Sequence, residues 1–274
     1  MKLMLGPAAA AAGAEAAPTA AGEPTPDTVP RLSARSLGAA RNLYDVSFEL
    51  HAGEVLGIVA LEGQGQDELF DILSGQARPG AGELLVDGTP VQFRHPADAI
   101  QAGMVLVPAD RASALLMQRS VRENIGLPGI APARSWGVVN DGAEKRRVAQ
   151  AIDRLQIETR AQSEARRLSG GNQQKVTIAR WLESGVRTFL FYDPTRGIDI
   201  GTKREIYQLV RELAANGAAV LLLTSELEEI QRACDRAIVI YGGRIADELP
   251  AARADEPTLL RAAHGLPARA AGVA

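Results

Sequence analysis

The chain has 274 residues, 46% hydrophobic and 23% charged, which excludes global disorder and allows one large α/β domain or two small ones. Lys and Arg total 30 against 33 Asp and Glu, a net charge of -3, so the basic surface of a nucleic-acid binder is not expected. One cysteine, Cys234, excludes a disulfide framework and a cysteine-based zinc site, and no apolar run of about 18 residues marks a membrane span.

Met1 to Pro30 is mostly Ala, Pro, Gly and Thr and reads as a disordered linker, 1–30, because it has too few large apolar groups to offset its ordering entropy. Lys2-Leu3-Met4-Leu5 and the alanines behind it have only the outline of a secretory signal, since Pro7 interrupts the apolar stretch. Tyr44, Val46, Phe48 and Leu50 alternate with polar residues, the period of a half-buried strand. Glu54 to Ala60 reads as a buried strand, Leu61 to Gln66 as a glycine-bearing loop, and Asp67 to Leu73 as a helix. Asp87-Gly88 predicts a hairpin within Gly82 to Val91. Pro96 to Gln101 starts a short helix, and Met104 to Val107 is another strand.

The stretch 111–167 reads as mainly helical, with Val148, Ile152 and Leu155 at helical spacing in Glu144 to Leu155. Strands over Thr188 to Tyr192 and Ala219 to Thr224 then alternate with helices over Lys203 to Ala215 and Glu226 to Cys234. Ala237 to Tyr241 and Arg244 to Asp247 flank Gly242-Gly243 as a hairpin. Such alternation implies a largely parallel sheet covered on both faces. Cys234, on the apolar face of its helix, and Trp136 and Trp181 read as packing residues, and Lys145 to Arg147 as a solvated helix face.

Two constellations carry chemistry. In Leu168-Ser169-Gly170-Gly171-Asn172-Gln173-Gln174, two glycines let backbone amides approach an anion and Ser169 adds a hydroxyl. A helix starting near Asn172 would aim its positive end at the same point. Alone, such a turn is an ordinary helix cap. Phe189 to Asp199 (FLFYDPTRGID) then places acidic residues at the end of a buried strand, where phosphoryl-transfer enzymes hold Mg²⁺ or orient water.

Together, LSGGNQQK and DPTRGID resemble the signature motif, Walker B segment and D-loop of ABC-transporter ATPases. GEVLGIVALEGQGQDELFDILSG, GMVLVPADR, SVRENIGLP and TSELEEI followed by CDRAIVIYGGR extend the likeness over almost everything after the linker. The chain is most similar to the second nucleotide-binding domain of the tandem ATPases of bacterial ribose, xylose and galactose importers. The resemblance implies an α/β P-loop NTPase fold with an antiparallel β-subdomain and an inserted helical subdomain. It places the nucleotide-binding domain at 31–249, the helical subdomain near 111–167, and a partly helical extension at 250–274.

Carried over position by position, the nucleotide site departs from the family. Where the P-loop reads GxxxxGK[ST], this chain, over Ala60 to Asp67, keeps Gly65 and has backbone amides around Gly63 and Gly65, but has Gln66 at the lysine position and Asp67 at the Mg²⁺-ligating hydroxyl position. The Walker B aspartate position falls on Tyr192 and the catalytic glutamate position on Asp193. In the other register, Asp193 is the metal ligand and Pro194 stands at the base position. Ala109 stands at the Q-loop glutamine and Ser225 at the switch histidine, while His51, His95 and His264 lie elsewhere. The lost lysine contact is worth roughly 1.5–3 kcal/mol, and a carboxylate some 5 Å from a phosphate adds about 3 kcal/mol of repulsion at an effective dielectric of 20. The sum, roughly 5 kcal/mol, predicts an affinity for Mg-ATP lower by about three to four decades.

The signature is intact at Ser169, Gly170, Gly171 and Gln173, and Asp199 occupies the D-loop position. In the family, two such domains pair head to tail and each ATP lies between one P-loop and the other signature. The resemblance therefore implies a domain that completes a partner's Mg-ATP site while its own is degenerate, with little hydrolysis by the isolated chain. Permease subunits contacted through Arg111 to Asn124, an indirect link to a sugar-binding protein, and a peripheral place on the inner face of the cell membrane follow. Lys2 to Gly6 resembles the end of the family's first domain, and Ala262 to Leu266 the corresponding end of this one, as expected for the second half of a tandem protein. A nucleic-acid-associated ABC ATPase and a folded fragment without a partner are the competing alternatives.

Overall fold

The computed structural model describes residues 29–130, 141–157, 162–182 and 184–266. Most of the linker at 1–30, including Lys2 to Gly6, and Trp136 lie outside the described residues. In chain order, β1 (Leu32–Gly38), β2 (Val46–Leu50) and β3 (Val55–Ala60) lead into α1 (Gln66–Leu73). The hairpin β4 (Ala81–Val86) and β5 (Thr89–Val91) precedes α2 (Pro96–Gln101) and β6 (Met104–Val107). Four helices follow: α3 (Arg111–Ala114), α4 (Val121–Gly126), α5 (Asp141–Arg154) and α6 (Gly170–Ala179). The chain continues through β7 (Thr188–Tyr192), α7 (Ile200–Ala215), β8 (Ala219–Leu223) and α8 (Glu228–Ala233). β9 (Arg236–Tyr241), β10 (Arg244–Pro250) and α9 (Glu256–Ala263) complete it.

The strands form two sheets. The smaller is antiparallel with order β2-β1-β4-β5, and the larger has order β10-β9-β3-β8-β7-β6, parallel except for β10 at its edge. Alternation along β3 and β8 splits the core into two. Leu56, Ile58 and Leu221 pack toward the small sheet and α1, where they meet Leu32, Val46, Phe48 and Phe70. Val55, Val59, Val220 and Leu222 pack on the opposite face against residues of α6, α7, α8 and α9. Burial on both faces explains why these strands are continuous apolar runs. The turn at Asp87-Gly88 has positive φ at both residues, 50° and 73°, as the tight hairpin requires.

Several elements differ from expectation. β1 has no clean alternation because Ser36, at φ 47°, inserts a bulge that shifts its register against both neighbours between Ala34 and Gly38. α7 begins at Ile200 rather than Lys203, because Asp199 caps it. α6 begins at Gly170 rather than near Asn172, because Ser169 caps it. Cys234 does not ride the face of a helix: it ends α8 in extended backbone, buried, and burial pushes its thiol pKa up. Trp181 packs against the core, as a packing residue should.

The 111–167 stretch is tied together by polar groups. Ser120 and Glu123 form a reciprocal capping box at the start of α4. Asn124, fully buried, bonds both the N–H and carbonyl of Leu116 and accepts from Arg180 at 3.1 Å. Arg180, at the end of α6, also donates to the Ala114 carbonyl at 2.7 Å, and burial lowers its pKa to about 10. These bonds tie α3 and α4 to the end of the helix that Ser169 begins.

α9 belongs to the same core, since Leu259 is fully buried against the larger sheet's helical face. Leu259→Ala should cost about 2–5 kcal/mol and lower the main unfolding transition, as measured by urea denaturation. An unchanged midpoint would show that residues beyond 249 do not contribute to this core.

Candidate functional site

β3, β8 and β7 are adjacent, and the loops leaving their carboxyl ends carry most of the residues singled out above. In parallel sheets of this kind that edge is where ligands bind. The loop after β3 turns through Gly63 and Gly65, at φ 78° and 102°. A β-carbon on Gly65 would lie 2.2 Å from the Asn42 carbonyl oxygen, so only glycine fits.

One backbone donor of this loop is taken up by a loop side chain. Gln66 is only 5% exposed and folds back, so that its Oε1 accepts from the Gln64 N–H at 2.9 Å. Gln64 in turn accepts from Gly242 N–H through Oε1 at 2.6 Å and from Gly243 N–H through its carbonyl at 3.2 Å. The β9–β10 turn is thereby clamped onto the loop, and one backbone donor facing any anion there is already used. Asp67 is exposed in the first turn of α1, where the helix's positive end favours a carboxylate. It accepts a hydrogen bond from the Tyr192 hydroxyl. Tyr192, not Asp193, is thus the residue of β7 that reaches α1.

Asp193 and Ser225, given separate positions in the sequence reading, are in contact. Asp193 is 6% exposed with φ 45°, and its N–H bonds the Leu223 carbonyl at 2.9 Å. Its carboxylate accepts from the Ser225 hydroxyl at 3.0 and 3.2 Å and from the Ser225 N–H at 3.4 Å. A serine here donates, whereas an imidazole could also relay a proton. Asp199 sits exposed as the cap of α7 and accepts from Thr202 N–H at 3.0 Å and Oγ1 at 2.8 Å, which holds its carboxyl below the usual range.

The signature turn is built differently. Ser169 caps α6, its Oγ accepting from Asn172 N–H at 3.3 Å and Nδ2 at 3.1 Å, bonds that leave its hydroxyl proton unused. A β-carbon on Gly170 would meet only the Arg111 guanidinium, at 3.6 Å or more. One on Gly171 would lie 2.4 Å from Thr202 Cγ2, so this glycine is needed for close packing of α6 on α7. Gln173 turns away from that face and braces the preceding turn, donating to the carbonyls of Ala165 at 3.2 Å and Leu168 at 3.3 Å.

Two residues escaped the sequence reading. Arg111, in the sequence only part of a contact surface, donates through Nη1 to the Arg196 carbonyl at 3.1 Å, and its guanidinium stands beside Gly170. Its signal, one arginine after a strand, is too common to single out. Glu229 is 3% exposed and accepts from Thr195 at 3.1 Å and from the Thr224 hydroxyl. Tyr207 donates to Thr195 at 3.1 Å, and Lys203 Nζ lies 3.8 Å from Glu229. This carboxylate binds the loop after β7 to the loop after β8. In the sequence it is one acid among several on a short helix.

Burial raises the Glu229 pKa to about 7, helped by the nearby Asp193 charge and opposed by the Thr195 bond and Lys203. The folded state therefore holds a proton that the unfolded chain releases near 4.5, so Glu229 costs stability as pH rises from about 4.5 to 7. Glu229→Gln keeps hydrogen-bonding capacity without the charge. Its stability relative to the parent should improve between pH 5 and pH 8, by denaturant titration at each pH. A difference independent of pH would show that Glu229 does not titrate there.

The ABC transporter family model matches residues 43–196, more than half of the chain. The ribose import ATP-binding protein RbsA 1 of Mesorhizobium japonicum is 42% identical over 238 residues, 85% of this chain and 46% of its own length. The arabinose import ATP-binding protein AraG of Ralstonia nicotianae is 43% identical over 241 residues, 85% of this chain and 47% of its own. The chain thus spans about half the length of the curated relatives it matches. Among solved structures, the ADP conformation of MJ1267, an ATP-binding cassette of an ABC transporter, superposes with TM-score 0.74 at 20% identity, covering 85% of this chain and 96% of that one. A nucleotide-free ATP-binding cassette from an ABC transporter gives TM-score 0.71 at 21% identity, covering 80% and 90%. The two-sheet architecture is the ABC ATPase form of the P-loop NTPase fold, and the chain belongs to the ABC transporter family.

Proposed function

We propose that this chain is an ATP-binding subunit, or the second half of one, in a carbohydrate importer, and that it donates its signature turn to ATP held by a partner domain. One contrast carries this reading. The Ser169–Gly171 turn presents a free hydroxyl proton and an open glycine beside an arginine. The Gly63–Asp67 loop instead ties its Gln64 N–H to Gln66 and carries the Asp67 carboxylate, which accepts from Tyr192. An anion is stabilised by the first arrangement and repelled by Asp67 in the second.

In this reading Ser169, the backbone amides of Gly170 and Gly171, and Arg111 face the terminal phosphate of the partner's Mg-ATP. Gln173 holds the turn in shape, and Asp199 sets the start of α7 against it. Asp193 and Ser225 stand at the positions where a base and a switch residue are expected. Bonded to each other, they leave the isolated chain with little or no hydrolysis. The nucleotide-binding domain would span 31–249 with the helical part near 111–167.

Leu116, Arg119 and Leu127 leave an exposed surface on that helical part, suited to a permease subunit whose sugar-binding protein lies across the membrane. No helix among the described residues is long and apolar enough to cross a membrane, which accords with a peripheral place on its inner face. Nucleic acid is not expected as a partner.

Ser169→Arg in the assembled transporter should abolish most ATP turnover while the isolated chain unfolds as before. Gly170→Ala, which meets no backbone, should act the same way more weakly. An ATPase rate unaffected by Ser169→Arg would rule out signature donation.

A further inference from the structure

The residues at this chain's own metal position do not fit Mg²⁺. By the motif resemblance to ABC ATPases, the metal-ligating positions fall on the second residue of α1 and the last residue of β7. The first is Asp67 and the second Tyr192. Their side chains bond each other, the Tyr192 hydroxyl donating to Asp67 Oδ1. The hydroxyl and carboxylate have exchanged elements, so that the pair is complementary without an ion between. A phenol is also longer than the carboxylate it replaces, which lets the β7 residue reach α1 directly.

Further contacts hold the pair. Phe70 of α1 packs edge-on to the Tyr192 ring, with centroids 5.2 Å apart at 86°. Burial and the Asp67 carboxylate push the phenol pKa upward, so it stays a donor. The helix end favours the Asp67 charge. Among the described residues, no group of three or more His, Cys, Asp or Glu side chains gathers where an ion could sit.

We propose that the Asp67–Tyr192 hydrogen bond is an internal substitute for the metal bridge, tying α1 to β7 permanently and making this half-site indifferent to divalent cations. The proposal rests on the degenerate-loop half of the function proposed above and adds what replaces the lost metal. Whether the site is empty or takes nucleotide through backbone amides, the bond persists and Mg²⁺ changes nothing.

Two measurements on the full chain test it. The first titrates ATP by calorimetry with Mg²⁺ and again with EDTA. Affinity that is equal in both, or undetectable in both, is the expected result, whereas a tenfold or larger gain with Mg²⁺ overturns the proposal. The second is a double-mutant cycle of Tyr192→Phe and Asp67→Ala by urea unfolding. Phe keeps the packing on Phe70 and removes only the donor. The two changes should be coupled by about 2- to 10-fold in the unfolding constant, and strict additivity would show that the bond cross-links nothing. Neither result depends on Ser169. Strong ATP binding that ignores Mg²⁺ would refute the weak-affinity reading of the loop and leave the metal substitute standing. Loss of signature donation would leave both measurements unchanged.

Discussion

Three parallel strands, β3, β8 and β7, end side by side, and the rest of the site follows from that placement. Each is buried on both faces, so none can shift register without driving an apolar set into the wrong layer. The residues just past their ends are held in fixed relation as a result. Gln66 and Asp67 follow β3, Asp193 follows β7, and Ser225 and Glu229 follow β8. Side chains separated by more than a hundred residues in sequence come within hydrogen-bonding distance there.

Several polar side chains at this edge are paired within the chain. Asp67 takes a bond from Tyr192, Asp193 from Ser225, Glu229 from Thr195 and Thr224, and Gln66 from the Gln64 backbone. A buried or half-buried polar group left without a partner is costly, and these pairings avoid that cost with no ligand.

The signature turn also shows how one motif can carry two constraints. Gly171 is required by the packing of Thr202, a matter of fold, whereas the space at Gly170 is open and bounded by a guanidinium. Arg180 and Asn124 fasten the far end of α6 to α3 and α4, so the turn and the helical region are joined by one rigid helix.

Much of this was legible in the sequence. Apolar runs in β3, β7, β8 and β9 announced a doubly covered parallel sheet, Asp87-Gly88 announced its hairpin, and the two motifs placed Ser169 and Asp193 at element ends. Those signals are local, set by side-chain period and backbone preference within a few residues. β1 escaped because a bulge at Ser36 breaks its period, and the starts of α6 and α7 shifted because caps by Ser169 and Asp199 decide them. Only the tertiary structure could pair Asp67 with Tyr192, bury Glu229 between two threonines, or set Arg111 beside Gly170. Each of those facts depends on which strand ends are neighbours, and that order is fixed by packing of the whole sheet rather than by any single segment.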